Sequence, residues 1–394
     1  MPILWNKEIE EIDKSGYLNK SLSITDALIE NFYNEILADE EKELLKLAFT
    51  ENPTQEALDK LLKNWDIEVK DASKSLMLAY ILKRHHNLKF TSYEEPRLKG
   101  LLNFYRFRNL KTIAHYTKIG KALNKNDIEP VILKGGAMKH LRPELPRIMS
   151  DIDILIPEKD FMRCADIISA LGYEYEKIDI HSIDFHEKGS KEGTVDLHKF
   201  VYMGTGFEKN FLEGLFKRAR YEMVFGVKSL VPSAEDMVFI LLVNLAKNLR
   251  DKTSQAGILY SVFDCKFFLE TNPDFNWNIV KENARNTKTE VQMNFAIKFI
   301  DKISSDILPN EIKANMPFEK ETNEYSQIVM YKRFFLEDIR TKCRAMKLKE
   351  VIKQPEKWLE YAILKPKYII LKSFRNHPKL ISIVTGEKNA DKKS

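Results

Sequence analysis

Residues 131–157 read VILKGGAMKHLRPELPRIMSDIDILIP, and this stretch decides the fold. Val131-Ile132-Leu133 is a short apolar run of the kind that fills a buried strand. Lys134-Gly135-Gly136 interrupts it. Residues 137–141 then have room for one short helix before Pro143 and Pro146 stop it. Ser150 leads into Asp151-Ile152-Asp153-Ile154-Leu155-Ile156, a second strand with two carboxylates inside an apolar run. The order is strand, glycine turn, short helix, loop, strand.

Side chains alternate along a strand, so Asp151 and Asp153 share one face while Ile152, Ile154 and Ile156 line the other, toward a core. Like charges so placed repel and raise each other's pKa. A divalent cation relieves that repulsion, and hard carboxylate oxygens suit Mg²⁺. A solvated edge strand with a polar outer face would show the same spacing. The glycine pair favours the cation, because glycine N–H groups at a helix N-terminus can approach an anion closely. Lys134 adds a point charge suited to phosphate.

Downstream, Glu158-Lys159-Asp160 opens a helix through Leu171, with Gly172 as its C′ residue. Strand-like runs follow at 173–180, 181–186 and 194–201, with a turn at 189–193 between the last two. The third run sets Asp196 between Val195 and Leu197, as Asp151 and Asp153 are set in theirs. His198 falls on the same face as Asp196. It could touch a phosphate, or orient a carboxylate. His181 and His186 read as surface strand histidines.

The flanks read as helical. Residues 1–125 show apolar positions at helical spacing, with Thr54 as a cap and a long helix over 101–123. His85-His86 beside Arg84 reads as a solvated helix end. Ser233, with Asp236 three residues on, starts a helix whose wide apolar face predicts burial. Near its far end stand the polar residues Asn244, Lys247 and Asn248. Asp264 reads as a helix-surface carboxylate. The run 365–393 is basic, with Tyr368 and Phe374 interleaved; it reads as a frayed tail, or as a contact for RNA or another polyanion.

Composition sets outer bounds. At 394 residues, 44% hydrophobic and 31% charged, the chain can build two or three domains and is not of a disordered type. A net charge of +5 is compatible with nucleotides or RNA without demanding them. Cys164, Cys265 and Cys343 match no zinc spacing and read as buried thiols in a reducing compartment. No secretory leader pattern and no run of ~20 apolar residues is present, so a cytoplasmic protein without a membrane span is expected. The expected fold class is α+β: a small mixed sheet over 126–231, flanked by helical regions at 1–125 and 232–394.

The segment resembles the signature of the DNA polymerase β-type nucleotidyltransferase superfamily, a Gly-Gly or Gly-Ser turn followed by Asp-x-Asp on a strand. More narrowly, LKGGAMKHL, PRIMSDIDILI and the later VDLH are similar to a bacterial nucleotidyltransferase-like family, over roughly residues 128 to 265. The resemblance implies that Asp151 and Asp153 hold Mg²⁺ ions bridging a nucleoside triphosphate such as ATP. It implies that Asp196 is the third carboxylate of a catalytic, metal-holding trio; two Mg²⁺ ions are implied, with Mn²⁺ as a substitute. Lys134, Gly135, Gly136, Arg147, Ser150, His198 and Lys247 are then the residues expected around the nucleotide. The acceptor is left open among a small molecule, RNA and protein. Gly136 departs from the serine found in many members, and histidines are missing near Asn244. Those departures keep open a catalytically degenerate nucleotide-binding or regulatory module. A toxin of a toxin–antitoxin pair that modifies tRNA or protein is a further alternative.

Overall fold

In the computed structural model, the described residues are 29–312 except 31–32, 35, 64, 66–71, 179–181, 190–193, 202–208, 252–254, 288 and 311. His181, Cys343 and the basic run 365–393 lie outside them. The described residues belong to one compact unit.

Four helices come first: α1 (Asp39–Phe49), α2 (Gln55–Leu62), α3 (Ala72–Arg84) and α4 (Glu94–Asn124). Thr54 caps α2 as expected, its Oγ1 accepting from Ala57 N at 3.3 Å. His85 departs from its expectation. It is buried, with Nε2 3.5 Å from Ala48 O, because the chain turns back onto α1 at this point; only His86 is exposed. α4 has 31 residues, longer than expected. Its C-terminal half packs on the sheet, with Tyr116, Ile119 and Leu123 fully buried. The Tyr116 hydroxyl meets Ser229 Oγ at 2.5 Å.

The sheet elements are β1 (Val131–Ile132), β2 (Asp151–Leu155), β3 (Tyr173–Ile178), β4 (Ser182–Glu187), β5 (Thr194–His198), β6 (Arg220–Val224) and β7 (Val227–Val231). Between them run α5 (Lys134–Leu141), α6 (Phe161–Ala170) and α7 (Lys209–Arg218). The strands form one mixed sheet in the order β3-β4-β5-β2-β1-β7-β6. β2 pairs parallel with β5 and antiparallel with β1, and β1 pairs parallel with β7. The other pairings are antiparallel hairpins. This is the α+β architecture expected. Val131, Ile132, Ile152, Ile154, Val195 and Leu197 are fully buried at its centre, as their spacing predicts.

The β6–β7 hairpin has no clear signal in the sequence. Its turn is Phe225-Gly226, with φ of 49° and 79°. That is the positive-φ geometry of a two-residue hairpin, but with Phe in place of the usual Asn or Asp. β7 therefore occupies 227–231, and the following helix begins only after it. That helix, α8 (Ala234–Asp251), starts at the predicted cap: Asp236 N donates to Ser233 Oγ at 3.2 Å. α9 (Gln255–Glu270), α10 (Trp277–Thr287) and α11 (Glu290–Ile303) complete the described elements. Among the described residues, no helix is long and apolar enough to cross a membrane.

Candidate active site

The register of three adjacent strands assembles the site. Asp153 on β2 stands directly opposite Asp196 on β5, and Asp196 stands directly opposite Asp184 on β4. Opposed residues share a face, so three carboxylates form a row across the sheet. His198 follows two residues after Asp196 and turns to the same side. Its Nε2 lies 2.9 Å from Asp153 Oδ1 and 2.8 Å from Asp196 Oδ2. Lys134 donates from Nζ to the same Asp153 Oδ1 at 2.6 Å. One ligand atom from each of Asp153, Asp196 and His198 lies within 4.8 Å of the others.

Burial and charge set the protonation of the group. Burial pushes the Asp153 carboxyl up, but the Lys134 ammonium and the His198 ring outweigh it and hold it at about 2. Asp196 is likewise lifted by burial and drawn well below the usual range by His198 and Lys134. His198 is lowered by burial and raised more by Asp196 and Asp153, to about 9, so it is an imidazolium at neutral pH. Asp151 is the exception. Burial, and then the charge of Asp153, raise it to about 6.

The sequence-predicted residues fall into two sets. Asp153, Asp196, His198 and Lys134 are in direct contact. Asp151 is half-buried at the start of β2, where Ser150 Oγ donates to its Oδ1 at 3.3 Å. It feels the charges of Lys134, Asp196 and Arg147 without joining the close-contact group. Lys247 is half-buried on α8.

The glycine pair differs from its expectation. Gly135 and Gly136 are not a turn preceding the helix; both sit inside the first turn of α5, which begins at Lys134. The chain turns one residue earlier, at Lys134, whose φ of 45° lies in the left-handed region that costs a non-glycine residue energy. The glycines are needed for space. A Cβ on Gly136 would meet Ile132 Cδ1 at 2.9 Å, and one on Gly135 would meet Arg147 Nη2 at 3.3 Å. The N–H groups of this first turn have no intrahelical carbonyl to bond and form the positive end of the helix.

Arg147 is engaged in the protein rather than aimed at solvent. Its Nε donates to both carboxylate oxygens of Asp264 at 3.1 Å, and its guanidinium stacks 3.9 Å over Tyr260. Asp264 is accordingly not the helix-surface carboxylate expected. It is 1% exposed, and burial raises its carboxyl above the ordinary range, the arginine offsetting only part of that. The loop before β2 is held from the other side by Asn109 on α4. Asn109 donates to Arg147 O at 2.6 Å and accepts from Met149 N at 2.9 Å. No sequence signal marks Asn109. Asp184 has one, since Ser182-Ile183-Asp184-Phe185 places a carboxylate in an alternating strand as Val195-Asp196-Leu197 does.

The donor set fits a hard divalent cation. Asp196 Oδ1 is buried with no hydrogen-bond partner among the described residues, which leaves an acceptor for an ion to satisfy. A search of curated proteins returns no match. Among solved structures, the antibiotic-resistance factor ANT(2'')-Ia in solution aligns at 12% identity and a TM-score of 0.33, covering 45% of this chain and 92% of that one. The same factor in complex with adenylyl-2''-tobramycin aligns at 13% identity and a TM-score of 0.26, over 50% and 98%. An antigenic nucleotidyltransferase-like protein from Paracoccidioides brasiliensis aligns at 12% identity and a TM-score of 0.33, over 50% and 92%. A family described as uncharacterised nucleotidyltransferase matches residues 72–303, which span α3 through α11 and contain the whole carboxylate row. With more than half of its length matched, the chain belongs to this uncharacterised nucleotidyltransferase family.

Proposed function

We propose that the chain transfers a nucleoside monophosphate from a nucleoside triphosphate to an acceptor, using divalent metal held by Asp153 and Asp196 with Asp151 beside them. The observation that carries this reading is the direct pairing of Asp153 with Asp196 across β2 and β5, next to the open N-terminus of α5. Bound there, Mg²⁺ or Mn²⁺ supplies charge neutralisation for the triphosphate and lowers the pKa of the attacking hydroxyl.

The chain's own groups do the rest. The first-turn N–H groups of Lys134, Gly135 and Gly136 receive the β- and γ-phosphates, where the helix dipole favours anions. Lys134 exchanges its bond with Asp153 for a phosphate oxygen and stabilises the leaving pyrophosphate. Arg147, fixed by Asp264, holds the wall behind the glycines and adds positive field without moving. Asp196 is the candidate base for the acceptor's proton. The acceptor oxygen bonds to the α-phosphorus, the bond from that phosphorus to the bridging oxygen breaks, and pyrophosphate leaves with the electron pair. Lys247 is a further candidate contact for the nucleotide or the acceptor.

Asp153→Asn tests this. Purified protein is incubated with labelled ATP, CTP, GTP or UTP, Mg²⁺ and a cell extract, and whatever becomes labelled is identified. Wild type is expected to label an acceptor; Asp153→Asn should keep its fold and lose the transfer by several orders of magnitude. Equal labelling by the two proteins would falsify the assignment.

One observation favours a second reading, a nucleotide-binding module without turnover. Lys134 and His198 already hold Asp153 Oδ1, so internal cations stand where a metal would bind. Calorimetry separates the two. A module binds Mg²⁺-nucleotide with no turnover even when extract supplies acceptors.

A further inference from the structure

We propose that the solvent-facing stripe of α4 is a docking track for a single-stranded nucleic acid, and that this strand is the acceptor; the second half of the statement rests on the transfer reading above. From Pro96 to Asn124 the helix carries basic residues and not one Asp or Glu. Tyr93, Arg97, Phe104, Phe107, Arg108 and Lys111 recur at spacings of three, four and seven, which places them along one side of a helix. The rings are in the open: Tyr93 is 64%, Phe104 55% and Phe107 69% exposed. The cations interleave with them. The Arg97 guanidinium lies 3.6 Å over the Tyr93 ring, and that of Arg108 6.0 Å over Phe104.

Exposed aromatic rings set between guanidiniums have a specific use. Bases stack on the rings, every base having a π-face, while the cations track the phosphates. A helix bound for a protein core or a membrane surface would instead show a continuous apolar face. Here the exposed apolar run is short, Phe104, Phe107 and Leu110, and Arg97, Arg108 and Lys111 flank it. A net charge of +5 over the whole chain makes an acid-free run of this length a local feature rather than a reflection of bulk composition. The track is also placed to feed the site. Asn109, on the opposite side of α4, grips the loop at Arg147 and Met149 that leads into Asp151. A strand lying on the stripe is thus about one helix diameter, ~10 Å, from the loop that precedes the carboxylates.

The test is binding of a fluorescently labelled, unstructured 20-nucleotide RNA to the full-length protein, read by anisotropy over a salt series, with a DNA strand of the same sequence in parallel. Wild type should bind. Phe104→Ala with Phe107→Ala should weaken binding at least tenfold with the salt slope unchanged, since stacking is lost and charge is kept. Arg97→Glu, Arg108→Glu and Lys111→Glu together should weaken it further and reduce the salt slope by about 2. Circular dichroism checks that both variants fold. Asp153→Asn should bind as wild type does, so docking and chemistry fail separately. Binding to RNA or DNA that both surface variants retain overturns the track. So does an absence of nucleic-acid binding, including the case in which anionic phosphatidylserine vesicles bind instead. Transfer to a small molecule or a protein, with no strand bound, overturns the acceptor assignment and leaves the transfer reading standing.

Discussion

At the residue scale, the two glycines after β1 illustrate what a sequence can and cannot say. Their presence between a strand and a helix points to close backbone approach, and that is where the free helix N-terminus lies. The reason each position is glycine is not legible, because it depends on side chains distant in sequence. Gly136 faces Ile132 and Ile152, both fully buried and unable to retreat. Gly135 faces the Arg147 Nη2 at 3.3 Å, a less severe approach than the 2.9 Å at Gly136. Gly136→Ala is therefore expected to cost about 1–3 kcal/mol by overpacking, and Gly135→Ala clearly less. Urea denaturation of the two variants checks the order; equal losses would show that the clash with Ile132 is not what selects glycine. Lys134 carries a sharper consequence. If its bond to Asp153 opens when nucleotide arrives, Lys134→Met abolishes transfer. If it permanently fills a cation's place, the same variant raises Mg²⁺ affinity, measured by calorimetry, without creating turnover.

At the element scale, the parallel pairing of β2 with β5 brings Asp153 and Asp196 together across 43 positions of sequence. Each carboxylate is visible within its own apolar run. Their adjacency is not, since it depends on which strands pair, and Asp184 is masked in a run whose histidines are the more conspicuous groups. The β6–β7 hairpin escapes a sequence reading for a simpler reason. Its two-residue turn uses Phe225, which packs edge-to-face against Tyr116 and His140 rather than serving the turn. Gly226 supplies the freedom that the turn requires, at φ 79°, and a Cβ added there would have no neighbour within 4 Å. Gly226→Ala should thus lose about 1 kcal/mol from backbone conformation alone, with side-chain packing untouched. A thermal midpoint equal to wild type would mean that the hairpin adapts its turn.

At the scale of the whole molecule, three buried histidines predict the shape of stability against pH when metal is removed by chelator. His85 and His115 are lowered by burial from 6.5, the second with its Nδ1 2.8 Å from the Tyr173 hydroxyl. The unfolded chain takes up protons at these two positions before the folded chain does. Stability is therefore full above 6.5 and is lost as pH falls below it. His198 works in the opposite sense. Asp196 and Asp153 raise it to about 9 against the 6.5 of an unpaired ring, so its stabilisation is full below 6.5 and is lost as pH rises toward 9. The histidines' joint contribution in the metal-free protein is therefore greatest near 6.5, and Asp151, raised from 3.8 to about 6, works against their acid limb because the folded chain keeps a proton there that the unfolded chain has lost. His115→Phe should make the acid limb below pH 6.5 shallower, His85 keeping its share, and His198→Gln should flatten the alkaline limb between 6.5 and 9, each leaving the other limb in place. Adding Mg²⁺ with nucleotide should stabilise wild type by roughly 2.7 kcal/mol at a hundred times the dissociation constant, and leave Asp153→Asn unmoved. An alkaline limb that survives in His198→Gln would show that the imidazolium is not what neutralises Asp153 and Asp196, and Lys134 alone would then have to balance both.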